Sequence, residues 1–85
     1  MNNQQQTEVD TLVKLLFGEH KTLTIPPKPT AKAVGRSEVS LSRDRSEGIG
    51  IPHTKLGKGN GSDRVQYNIY DIAKFIVSRK TKVVS

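Results

Sequence analysis

Cysteine is absent from this 85-residue chain, and its aromatics amount to two tyrosines and two phenylalanines. Without cysteine, neither a disulfide nor a zinc-thiolate site can staple the fold, so stability has to come from packed aliphatic side chains. With so few aromatics there is no platform for stacking unpaired bases, which places RNA low among candidate ligands. No apolar run is long enough to span a bilayer. The opening MNNQQQTEVD lacks the basic start and apolar stretch of a secretory signal, so a soluble cytoplasmic protein without membrane association is expected. His20 and His53 are the only histidines, and neither has a cysteine or a spaced carboxylate cluster beside it from which to build a metal or nucleophile site. Gly57, Gly59 and Gly61 superficially suggest a phosphate loop, but the Walker pattern is missing and the loop joins strand to strand. The expectation is a protein with no catalytic activity, no cofactor and no metal.

What is present is positive charge, unevenly placed. Fourteen Lys and Arg against eight Asp and Glu give a net charge of +6. Residues 1–20 carry Lys14 against Glu8, Asp10 and Glu19, a net of −2, and the remainder carries a net of +8. A concentrated basic face attracts phosphates and releases counterions on binding, which favours a nucleic-acid partner. A chain of this length forms one small domain with a modest core.

Along the chain, the polar MNNQQQ reads as a disordered tail. Thr7, with Asp10 three residues on, predicts a helix start, and Val9, Leu12, Val13, Leu16 and Phe17 share one face before Gly18 stops it. That face is expected to pack on the protein's own core. Pro27 suits a first helical position, and a short helix from Pro27 to Val34 presents Ala31 and Val34 inward before Gly35 turns the chain. A Pro-rich extended linker is the alternative for this segment. Ser37 then caps a helix running to Ser46 or Glu47, anchored by Val39 and Leu41. Its Ser and Arg side chains suit a DNA groove better than a core.

From Ile49 to Gly57 the residues read as a first strand, followed by the polar loop Lys58 to Asp63 and a second strand, Arg64-Val65-Gln66-Tyr67. Asn68 caps a last helix whose stripe is Ile69, Ile72, Phe75 and Ile76. The RKTKVVS ending reads as frayed or as a short strand. The fold class is therefore α+β, a small winged helix-turn-helix with an extra N-terminal helix. Its expected division is a tail over 1–6, the N-terminal helix and connection over 7–24, the winged unit over 25–78 and a basic tail over 79–85.

Gly35 with Ser37, Arg45-Ser46, Gly48-Ile49-Gly50-Ile51-Pro52, Lys55-Leu56-Gly57, Arg64-Val65-Gln66-Tyr67 and Asp71-Ile72-Ala73-Lys74-Phe75, in that order, resemble the MerR-like winged-helix proteins of the excisionase and AlpA-like phage-regulator type. The resemblance spans about residues 25–76. It implies a helix-turn-helix whose second helix enters the major groove beside a wing on the adjacent backbone or minor groove. Carried over by position, Lys32, Arg36, Ser37, Ser40, Arg43 and Arg45 from the helices, and Lys55, Lys58, Asn60 and Arg64 from the wing, are the DNA-binding candidates. Three positions depart from the pattern. Asp44 stands where a large apolar residue is usual, Pro26 replaces a hydroxyl cap, and the wing loop is long. Asp44 is expected to pair with a neighbouring Arg or Lys.

The expected function is sequence-specific binding of double-stranded DNA by a mobile-element protein. It would act as an excisionase (a recombination directionality factor) or a transcriptional regulator that binds and bends repeated sites. An integrase or other recombinase, RNA polymerase and a second copy of the chain on DNA are the further partners considered. The alternative is a protein-interaction module that recruits through the Val9 to Phe17 face, its basic surface serving only solvation.

Overall fold

A computed structural model describes residues 2–56 and 64–79. Among them the element order is α1 (Asn3–His20), β1 (Thr24–Ile25), α2 (Pro27–Val34), α3 (Glu38–Glu47), β2 (Thr54–Lys55), β3 (Val65–Asn68) and α4 (Ile69–Ser78). The class is α+β, four helices on a small three-stranded antiparallel sheet. No helix among the described residues is long and apolar enough to cross a membrane.

α1 is longer at both ends than its sequence predicts. Asn2 and Gln5 form a capping box, the Asn2 side chain accepting from the Gln5 amide at 2.8 Å and the Gln5 side chain from the Asn2 amide at 3.1 Å. Residues 3–6 of the expected tail therefore make the first turn, and Thr7 lies inside the helix with its hydroxyl donating to the Asn3 carbonyl. Gly18 does not stop the helix, since one glycine costs only about 1 kcal/mol in a helix interior. The end comes at Lys21, which adopts a left-handed φ of 59° and donates its amide to the Phe17 carbonyl. Val9 and Leu16 are buried and Leu12 and Val13 half-buried against the core, with α4 the main neighbour of α1. Phe17, at the edge of the stripe, stays exposed.

β3 is the centre of the sheet, flanked by β1 through Thr24↔Asn68 and Ile25↔Tyr67 and by β2 through Thr54↔Gln66 and Lys55↔Val65. Val65 and Tyr67 point into the core, as their alternation predicts. β1 is an addition to the predicted two-stranded hairpin. The first strand of that hairpin is shorter than the expected Ile49 to Gly57: Gly48 and Gly50 have positive φ and Pro52 has no amide to donate, so pairing is confined to Thr54–Lys55. The loop Lys58 to Asp63 and the tail beyond Arg79 lie outside the described residues.

α2 follows its sequence closely. Pro26 and Pro27 open it, the buried Thr30 hydroxyl donates to the Pro26 carbonyl at 2.9 Å, and Gly35 (φ 70°) closes it by donating back to Ala31 and Lys32. Asn68 caps α4 by accepting from the Tyr70 amide. α4 touches α1, α2 and β3, so its buried set is Ile69, Ile72, Ala73 and Val77, while the predicted Phe75 and Ile76 are half-buried.

Candidate nucleic-acid interface

α3 buries two of its side chains against the body. Its sequence EVSLSRDRSE offers one apolar residue that faces inward, Leu41, which is buried together with Asp44. Val39 is not the anchor its type suggests: it is 68% exposed. Ser37 caps the helix by accepting from the Ser40 amide at 3.0 Å, and Gly48 ends it in the left-handed region.

Asp44 is the polar half of that attachment. Its carboxylate accepts from Arg36 Nη1 at 2.6 Å, and the same guanidinium donates from Nη2 to the Ser40 hydroxyl. The turn between α2 and α3 is thereby tied to the second turn of α3, across eight residues of chain. Gly50 completes the arrangement with a φ of 83°; a Cβ placed there would lie 2.7 Å from Asp44 Oδ2. The expected pairing of Asp44 with a neighbouring cation is thus present, with Arg36 as the partner. A charge this buried is tolerated because it is paired and hydrogen-bonded.

These contacts sort the residues singled out in the sequence. Arg36 is engaged with both Asp44 and Ser40, Ser37 caps α3, and Arg45 donates to the Tyr67 hydroxyl at 2.7 Å. Four of the expected contacts therefore build the scaffold. Arg43 is exposed on α3, Lys55 is exposed at the end of β2, and Arg64 is exposed just ahead of β3. Lys32 lies elsewhere, lining a cleft with Glu19, His20, Pro29 and Ala33 between α2 and the end of α1. Lys58 and Asn60 fall outside the described residues.

The outward face of α3 is Val39, Ser42, Arg43 and Ser46, all exposed and spaced i, i+3, i+4, i+7. Ser42, Ser46 and Val39 were not among the expected contacts, although that spacing opposite Leu41 is the signal that finds them. A cation, two small hydroxyls and an exposed pair of methyls without a carboxylate among them match what base edges, phosphates and the thymine methyl present in a major groove.

Beside the C-terminal end of α3, the His53 ring lies 6.2 Å from the Tyr67 ring, tilted by 52°, while the Arg45 guanidinium carbon is 5.9 Å from the same ring centroid. Desolvation against this surface, then the positive charges of Arg45 and Lys55, holds His53 below the ordinary histidine value of 6.5. On the other side of α3 an open cleft of about 340 Å³ is lined by Arg36, Asp44, Ile49, Gly50, Phe75 and Arg79, with the Arg79 guanidinium 4.9 Å from the Phe75 ring centroid. No group of three or more His, Cys, Asp or Glu placed to hold a metal ion occurs among the described residues. No protein-family model, curated protein or solved structure matches the chain.

Proposed function

We propose that the chain is a sequence-specific DNA-binding protein of the winged helix-turn-helix kind, with α2 and α3 as the helical pair and β2 and β3 as the base of the wing. The observation that carries this reading is the division of labour within α3. Leu41, Asp44 and Arg45 fasten the helix, leaving a whole outward stripe of Val39, Ser42, Arg43 and Ser46 with no part in the core. A helix so thinly anchored and so polar outside is poor core material, and it lies in a region that carries the positive charge of the chain. Double-stranded DNA is the partner this surface fits, with α3 reading bases and Lys55 and Arg64 meeting phosphates.

The role we assign is that of a mobile-element accessory factor, an excisionase or a transcriptional regulator acting at repeated sites alongside a recombinase or RNA polymerase. It rests on the ordered resemblance from Gly35 to Phe75. Recruitment of a protein through the Val9 to Phe17 face is disfavoured, because Val9, Leu12, Val13 and Leu16 of that face are already packed on the core. What α1 leaves for a partner is Leu15 and Phe17, 63% and 46% exposed.

Two substitutions separate base reading from phosphate contact. Arg43→Ala is expected to cost about 1–3 kcal/mol on the best site and to relax preference at one position. Lys55→Ala is expected to weaken all sequences alike and to lower the salt slope by about one. Binding titrations on a matched and a scrambled duplex check both; unchanged affinity in both variants at low salt contradicts this assignment of the interface.

A further inference from the structure

We propose that Arg45, His53 and Lys55 together form a site for one backbone phosphate of bound DNA, and that His53 takes up a proton as the phosphate enters, so affinity rises as pH falls. The inference deepens the DNA-binding reading and rests on it.

Arg45 of α3 and His53, just ahead of β2, both lie against Tyr67 of β3, and Lys55 is near enough to His53 for its charge to act on the ring. Tyr67 is 1% exposed, so it is a fixed wall. Its hydroxyl accepts from Arg45 Nη1, which restrains the guanidinium while leaving its other N–H donors unused by this bond. The His53 ring rests against the same tyrosine, and Lys55 follows two residues later at the exposed edge of β2. No carboxylate among the described residues pairs with any of the three. Among the described residues, the elements around His53 thus present Arg45 from α3, Lys55 from β2 and the neutral Tyr67 from β3, a field of positive charge with no carboxylate in it.

Desolvation first, and this field after it, disfavour the imidazolium in the free protein and lower the His53 value. A phosphate seated between Arg45 and Lys55 reverses the balance: it supplies the missing negative charge, and an imidazolium offers it one more N–H donor than neutral imidazole can. By linkage, an anion that favours the protonated form is itself bound more tightly by that form. Because the contact is to backbone, the effect belongs to every DNA sequence.

The test titrates the full chain against a short labelled duplex of mixed sequence between about pH 7.5 and about pH 5.5 at constant ionic strength, where one proton taken up changes affinity by at most about tenfold per pH unit. Wild type is expected to bind about fivefold tighter at the lower pH. His53→Gln is expected to bind with no such rise, His53→Lys to bind at both pH values as tightly as the protonated wild type, and His20→Gln to keep the wild-type slope. Salt-sensitive binding that is flat with pH in wild type, or a slope that survives in His53→Gln, overturns the phosphate site and leaves DNA binding standing. Absence of salt-sensitive binding at every pH removes the DNA reading itself, and the phosphate site with it.

Discussion

Replacing Gly50 with alanine is expected to destabilise the protein by about 3 kcal/mol and lower its melting temperature by roughly 15 °C, a large share of the stability of so small a domain. Two effects add. A φ of 83° is strained for any residue with a Cβ, costing about 1–2 kcal/mol. The new Cβ would also stand 2.7 Å from Asp44 Oδ2 and 2.9 Å from Asp44 Cβ, and Asp44 cannot retreat without stretching its bond to Arg36. Overpacking of this kind costs about 1–3 kcal/mol. Gly35 supplies the internal comparison: its φ of 70° is similar, but a Cβ there meets nothing within 4 Å. Gly35→Ala is therefore expected to cost only about 1 kcal/mol. Thermal unfolding of the two variants followed by circular dichroism measures the difference; equal losses would mean that Asp44 does not press on residue 50.

Leu41→Ala is expected to cost about 3 kcal/mol, within the usual range for truncating a buried leucine. Leu41 is 1% exposed and is the one apolar side chain by which α3 reaches the core. α3 has little helical tendency of its own, with three serines and an aspartate in ten residues, so its helicity depends on docking. The loss should therefore be unevenly spread. Amide hydrogen exchange in the variant is expected to accelerate first in α3, while α4, held by Ile69, Ile72, Ala73 and Val77, keeps more of its protection. Uniform acceleration over both helices would show that α3 is not independently tethered through Leu41.

The parts of this architecture that sequence specifies locally are the parts that can be read from it. Ser37 with Ser40, Gly35 at the end of α2, and Asn68 ahead of α4 are caps whose partners lie within a few residues, and all three turn out as their types imply. The alternation of Val65 and Tyr67 identifies β3 for the same reason. The start of α1 is missed because a second capping box, Asn2 with Gln5, lies upstream of the one suggested by Thr7 and Asp10. β1 is missed because two residues carry no periodicity; it exists through pairing with a strand more than forty residues away.

The interface divides in the same way. A cation beside Asp44 is legible from composition, but that the partner is Arg36, and that Ser40 and Gly50 are drawn in, depends on how α2 and α3 turn against each other. Arg45 reads as another free cation until Tyr67, twenty-two positions on, is brought under it. Once Leu41 and Asp44 are known to point inward, the helical period alone places Val39, Ser42, Arg43 and Ser46 outside.

Selection of the full chain against a pool of random duplexes, sequenced after several rounds and repeated at low and moderate salt, tests the DNA-binding reading most directly. The expected result is enrichment of a short motif, recovered as spaced repeats, with affinity that falls steeply as salt rises because several phosphates are neutralised. A pool that stays random, with binding absent or indifferent to salt, would contradict it.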